Sequence, residues 1–255
     1  MDSTDEPERP SEIVADRGVL YLSIGVAYSR FTTASIAALR ATGYRGRVRV
    51  VTDDTSFGSE GGPLANIERI VVPPVGVGYA SRHYKTALVQ YAYDECLFLD
   101  SDTLPVADPS EAWRFLQSAD FYLSLDGTAT VDQALERPAI DREERELMKH
   151  LGLATEPHLN SGVLLFRKSP AVAQLFARWH LEWSRFRNCD QLALVRAIAA
   201  ARSHIGLLPR EWNCPPAGFS TASEARMSGV KVLHFFFEHR CHWPEFAREY
   251  ESACS

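Results

Sequence analysis

A chain of 255 residues with 45% hydrophobic content is long enough for one substantial α/β domain and too short for two full-sized catalytic domains with linkers. Its formal charge of -6 argues against a broad phosphate-binding surface and against nucleic acid as a partner, so a nucleotide would be held locally, by a metal or a few basic groups. No stretch reaches the roughly 18 consecutive apolar residues of a membrane span, and the five scattered cysteines (Cys96, Cys189, Cys214, Cys241 and Cys254) form no CxxC pair, which points away from a disulfide framework or zinc ribbon and toward a soluble protein of the reducing cytoplasm.

From Met1 to about Arg17 the chain is rich in Asp, Glu, Pro and Ser and has neither a basic n-region nor an apolar h-region, so it reads as a disordered tail ahead of one domain over 18–255. Gly18 to Ile24 is β-rich, and Phe31 to Thr42 follows with helical spacing until Gly43. Val48 to Thr52 and Ile67 to Val72 read as further strands, separated by a Gly/Pro-rich loop. Tyr84 to Tyr93 has a helical pattern, and the apolar strand Glu95 to Leu99 runs directly into Asp100-Ser101-Asp102. Beyond it come a strand at Asp120–Leu125 and a charged, helical stretch from Asp132 to His150, read as a lid, an acceptor-side insertion or a plain solvated helix. A strand at Ser161–Phe166, helices at Pro170–Arg185 and Asp190–Ala201, and a last strand at Lys231–Phe235 complete the chain. This alternation predicts an α/β fold with a mostly parallel central sheet flanked by helices.

Two carboxylates one residue apart at a strand's carboxyl end stand where open α/β sheets bind ligands. The turn there lets both approach a hard divalent cation such as Mg²⁺ or Mn²⁺, which can bridge diphosphate oxygens and offset the charge that builds on a leaving nucleoside diphosphate. Roughly one Asp-x-Asp arises by chance in a chain of this length. The preceding apolar strand and the neighbouring helix that carries Lys85 raise this pair above that background.

The order and spacing of several segments resemble the retaining nucleotide-sugar transferases of the GT-A fold, the family of glycogenin and the bacterial lipopolysaccharide galactosyl- and glucosyltransferases. The segments are Tyr84-Lys85-Thr86 through Tyr93 to Thr103, His158 to Val163, Asp190-Gln191, Leu208-Pro209 with Trp212-Asn213, and Val232 to Phe235. The resemblance implies a GT-A catalytic domain that moves a hexose from a nucleotide-diphosphate sugar, with UDP-hexose the expected donor, to a carbohydrate or small-molecule acceptor, with retention of anomeric configuration. It implies Asp100, Asp102 and His234 as metal ligands, a set that suits Mn²⁺ better than Ca²⁺; read alone, His234 is a hydrogen-bonded core histidine. A homo-oligomer is compatible with the sequence.

The resemblance also assigns donor contacts. Ile24 to Tyr28 matches the loop that receives base and ribose, with Gly25, Val26 and Ala27 offering backbone and Tyr28 a ring to stack. Asp53 accepts from the base or merely starts a loop. Ser101, between the two aspartates, joins the donor-binding set. Lys85 matches the family's basic residue near the donor and Arg82 shares that logic one turn earlier, solvent exposure being the plain alternative. Asn160 and Ser161 hold sugar hydroxyls or form a capping turn. Asp190, with Gln191, binds sugar or caps its helix. Asp126 and Asp190 are the carboxylates available to a double displacement, and a front-face, ion-pair-like route needs neither.

The sequence departs from the family after His234. Where many members carry a glycine and then Lys-Pro-Trp, this chain reads Phe-Phe-Phe-Glu-His-Arg-Cys-His-Trp243-Pro244, leaving Arg240 or His239 to face the diphosphate. A nucleotidyltransferase shares the acidic pair and the metal, but its glycine-rich basic loop is missing from Ile24 to Arg30. A catalytically silent sugar-nucleotide-binding protein is the other alternative; the intact acidic pair and His234 speak against it.

Overall fold

The computed structural model describes residues 16–58, 62–75 and 80–251. The acidic tail before Asp16 and Cys254 lie outside them. Strand β1 (Arg17–Ser23) leads into helix α1 (Val26–Ala41), and β2 (Arg47–Thr52), β3 (Glu68–Val71), α2 (Ala80–Lys85) and β4 (Glu95–Asp100) follow. After β5 (Thr103–Pro105) come β6 (Phe121–Thr130), α3 (Val131–Leu135), α4 (Arg142–His150), β7 (Pro157–Arg167), α5 (Pro170–Phe186) and α6 (Asp190–Ala201). The short β8 (Gly206–Leu207), α7 (Ala222–Met227), β9 (Val232–His234) and α8 (Trp243–Glu251) close the described chain.

One seven-stranded sheet has the order β3-β2-β1-β4-β7-β6-β8, and β5 pairs with β9 in a second, two-stranded sheet. Strands β3, β2, β1 and β4 are parallel, whereas β7 runs antiparallel to both β4 and β6. The apolar run of β1 is continuous because both faces of the sheet are covered. Leu20 and Leu22 pack with Phe98 and Leu164 against Trp179 and the other inward residues of α5 and α6. Val19 and Tyr21 pack with Leu97, Leu99 and Val163 against Ile36 and Leu39 of α1 and Trp212. Each such leucine, fully buried, contributes about 1.5–3 kcal/mol. A third cluster seats the small sheet: Leu104 and Leu233 pack with Phe235, Trp243 and Phe246 against Ala34 and Ala38 of α1.

Several elements differ from the sequence reading, each for a local reason. Helix α1 begins at Val26 and not at Phe31, because Gly25 adopts φ 85° and turns the chain straight into the helix. The stretch from Tyr84 to Tyr93 is not one helix: α2 ends at Lys85, Thr86 bonds back to the Arg82 carbonyl at 3.0 Å, and a 3₁₀ turn covers Leu88–Gln90. Pro138 divides the expected long helix into α3 and α4. Strand β7 starts at Pro157, so Asn160 and Ser161 lie within a strand, where Asn160 Oδ1 accepts from the Gly162 amide two residues on.

Candidate active site at the carboxyl end of the central sheet

Parallel pairing sets Leu22 of β1 opposite Asp100 of β4, so the turn at Gly25 opens beside the acidic pair. Antiparallel pairing sets Leu99 opposite Val163, which brings Ser161 and Asn160 past the end of β4. The short β5 continues from the acidic turn and pairs Thr103 with His234, closing a sequence gap of more than a hundred residues. The Phe235 amide donates to the Asp102 carbonyl at 2.8 Å and fixes that junction.

Ligand atoms of Asp100, Asp102 and His234 lie within 4.8 Å of one another. His234 Nε2 is 3.3 Å from Asp102 Oδ1 and 4.0 Å from Asp100 Oδ2. Among the described residues no other group of three His, Cys, Asp or Glu converges in this way. Gly162 makes room for the imidazole: a Cβ there would fall 2.0 Å from His234 Cε1.

Each carboxylate in the site carries a cationic side chain. Lys85 Nζ is 2.6 Å from Asp100 Oδ2 and 3.7 Å from Asp190 Oδ2. Lys85 is therefore buried and faces inward, not solvent. Arg82 Nε lies 2.9 Å from Asp190 Oδ1, Arg240 Nη2 lies 2.6 Å from Asp102 Oδ2, and Arg137 Nη2 lies 3.5 Å from Asp126 Oδ1. Burial and the neighbouring Asp102 charge raise the Asp100 carboxyl above its ordinary range although Lys85 opposes them. Burial acts the same way on Asp102, but His234 and Arg240 outweigh it and hold Asp102 well below that range. Burial also opposes ionisation of Asp190, and Lys85, Arg82 and the Ser161 hydroxyl more than offset it. The three carboxylates are thus inequivalent: burial prevails at Asp100, and the neighbouring donors and cations prevail at Asp102 and Asp190.

The remaining predicted residues fall into two groups. Val26, Ala27 and Tyr28 occupy the first turn of α1, with Tyr28 half-buried. The Gly25 amide donates to Asp53 Oδ1 at 2.8 Å, so Asp53 braces that turn. Ser101 Oγ donates to the Leu22 carbonyl at 2.6 Å and ties the acidic turn to β1. Ser161 Oγ donates to Asp190 Oδ2 at 2.7 Å, which with the two cations turns the Asp190 side chain away from helix capping; Cys189 is the N-cap residue of α6. Asp126 is no isolated nucleophile: its Oδ2 accepts from Asn160 Nδ2 at 3.1 Å and Gln191 Nε2 at 3.5 Å, while His158 Nδ1 lies 3.6 Å from Oδ1.

Sequence reasoning gave no role to Asn213. Its Nδ2 donates to Asn160 Oδ1 at 3.0 Å and its Oδ1 lies 2.8 Å from His234 Nδ1. The only sequence signal was its place in the Trp212-Asn213 segment.

No protein-family model matches the chain, and no curated protein does. Solved structures do. The bifunctional glycosyltransferase WbbM, without ligand, aligns with a TM-score of 0.62 at 15% identity; the match covers 90% of this chain but 47% of that one, so the chain spans about half of WbbM. The galactosyltransferase LgtC, solved with donor and acceptor sugar analogues, aligns with a TM-score of 0.61 at 14% identity, covering 92% of this chain and 94% of LgtC. Mouse xyloside xylosyltransferase 1, without ligand, aligns at 0.55 and 13% identity over 86% and 97% of the two chains. At such identities the shared property is the fold, and the fold is GT-A.

Proposed function

We propose that this chain is a metal-dependent glycosyltransferase that takes a hexose from a nucleotide-diphosphate sugar, UDP-hexose in the first instance, and passes it to a carbohydrate or small-molecule acceptor with retention. The observation that carries the reading is the convergence of Asp100, Asp102 and His234 at the carboxyl end of the central sheet. Three lone-pair donors facing one another at one turn fit a dication, and an imidazole beside two carboxylates favours Mn²⁺ over the harder Ca²⁺, with Mg²⁺ the alternative. Bound there, such a cation supplies Lewis-acid stabilisation of the departing diphosphate.

The side chains around it divide the remaining work. Lys85 sits on Asp100 Oδ2, the oxygen that faces His234, and Arg240 on Asp102 Oδ2, the oxygen turned away from it; both are placed to turn toward a diphosphate, Arg240 taking the role of the lysine this chain lacks. Gly25 and Tyr28, at the joined ends of β1 and α1, face the base and ribose. Asp190 and Gln191 face the sugar from α6. Asp126 and Asp190, each fixed by hydrogen bonds or ion pairs on both oxygens, are the carboxylates a double displacement would use, and a front-face route, with leaving-group departure and acceptor attack on one side of the sugar, needs neither. The described cysteines Cys96, Cys189, Cys214 and Cys241 are free, which supports a reducing compartment.

Incubation with a panel of nucleotide sugars tests the reading: Mn²⁺-dependent release of nucleoside diphosphate, fastest with one sugar, is expected. Release of pyrophosphate from nucleoside triphosphate and sugar phosphate would make the protein a nucleotidyltransferase, and binding without release under every condition would make it a silent sugar-nucleotide-binding protein.

A further inference from the structure

An amide side chain looks the same either way round unless its neighbours distinguish oxygen from nitrogen. Asn160 has two neighbours that do. The Gly162 amide donates to its Oδ1 at 2.8 Å, and its Nδ2 donates to Asp126 Oδ2 at 3.1 Å. Turned over, Asn160 would set an NH₂ group against an N–H and a carbonyl oxygen against a carboxylate. With Asn160 Oδ1 fixed, Asn213 must present Nδ2 to it, at 3.0 Å, which leaves Asn213 Oδ1 as the atom 2.8 Å from His234 Nδ1. An amide oxygen only accepts, so His234 Nδ1 carries a hydrogen, and in the neutral ring the lone pair is on Nε2. Nε2 is the atom that faces Asp102 Oδ1 at 3.3 Å. Asn160, Asn213 and His234 are 2%, 6% and 3% exposed, so no bulk water competes for these bonds.

We infer that Asn213 is a positioning residue for the metal site: it and Asn160 form a hydrogen-bond relay from Asp126 to His234 that fixes which imidazole nitrogen faces the acidic pair. The relay gives Asp126 a second purpose besides its contact with Gln191, since an acceptor-only carboxylate at one end sets the direction of every donor along it. Outer partners of this kind typically change metal affinity by roughly 10- to 100-fold. The inference rests on the transferase reading only in taking the acidic pair and His234 as a metal site.

Two measurements test it. In metal-free protein labelled with ¹⁵N-histidine, a two-bond ¹H–¹⁵N correlation spectrum, with His234 assigned by comparison with His234→Gln, should show Nδ1 carrying a hydrogen. A bare Nδ1 overturns the relay. Calorimetric titration with Mn²⁺ alone should then show Asn213→Leu binding roughly 10- to 100-fold more weakly than wild type. Asn213→Asp, which keeps an acceptor for Nδ1 but loses the donor to Asn160 Oδ1, should fall between wild type and the leucine variant. Wild-type affinity in Asn213→Leu, or an aspartate variant as weak as the leucine one, overturns it; should neither variant fold, the spectrum of the wild-type protein decides. Wild-type protein that binds no Mn²⁺ would sink the metal-dependent transferase while leaving the tautomer to be read from the same spectrum.

Discussion

Arg240 lays its guanidinium on one oxygen of Asp102, with Nε at 2.9 Å and Nη2 at 2.6 Å from Oδ2, while Oδ1 of the same carboxylate faces His234. The carboxylate is divided between an arginine and the imidazole side of the site. The carbon of that guanidinium also lies 5.8 Å from the centre of the Tyr28 ring, so the arginine spans from the acidic turn to the proposed base-binding turn. Replacement by methionine keeps bulk and removes charge. UDP should bind Arg240→Met about tenfold more weakly in the presence of Mn²⁺, equivalent to about 1.4 kcal/mol, while Mn²⁺ alone should bind at least as well because Asp102 has lost its resident cation. Calorimetry on both ligands reads the two effects, and unchanged UDP affinity would remove Arg240 from the donor site.

Gly162 is needed for space. With a Cβ 2.0 Å from His234 Cε1, Gly162→Ala must push the imidazole or bend β7, at a cost of roughly 1–3 kcal/mol. A fall in melting temperature together with weaker Mn²⁺ binding is expected. Gly127→Ala is the control, since nothing lies within 4 Å of its added Cβ. Equal behaviour of the two variants would show that the imidazole does not occupy that space.

The helices behind the site are held by a buried charge cluster. Arg196 of α6, 2% exposed, contacts Glu144 Oε1 of α4 at 2.8 Å and Glu182 Oε2 of α5 at 3.2 Å. Arg196→Ala leaves the buried Glu144 carboxylate without its arginine, while Glu182 keeps Arg178 and Arg185, and an unpaired buried charge typically costs about 3–5 kcal/mol. Urea denaturation should show the loss, and a change below 1 kcal/mol, the scale of an exposed pair, would mean that solvent already screens the cluster.

Acid should weaken the fold partly through Asp190. Lys85, Arg82 and Ser161 hold its carboxyl below the ordinary range against the effect of burial, so the folded state binds the proton less readily than the unfolded chain. The stability this contributes is complete above the unfolded value, about 3.9, and is lost as pH falls through the lower folded value. Denaturation midpoints measured between about pH 6 and pH 3 should fall more steeply in wild type than in Asp190→Asn. Parallel slopes would show that Asp190 is not stabilised as an anion.

The acidic pair was legible because an apolar run ends in it, and a parallel sheet places such an end at the ligand crevice. The direction of β7 was not, since a fully buried strand reads as the same apolar run whichever way it points. His234 is brought to Asp102 by β5, three residues long and too short to leave a periodicity, and only the family resemblance tied the two together. Pro138 did carry a local signal for the break between α3 and α4. The work of Asn213 and Asp126 cannot be read from residue type at all, because an amide's or a carboxylate's part is decided by partners from distant segments.

The proposed chemistry depends on a dication held by Asp100, Asp102 and His234 against a nucleoside diphosphate. Calorimetric titration of UDP into wild-type and Asp102→Asn protein, each with and without Mn²⁺, tests it most directly. UDP binding should be strengthened by Mn²⁺ at least tenfold in wild type, about 1.4 kcal/mol, and be left unchanged by it in a folded Asp102→Asn. Binding indifferent to Mn²⁺ in wild type, or equally strengthened in both proteins, would contradict it.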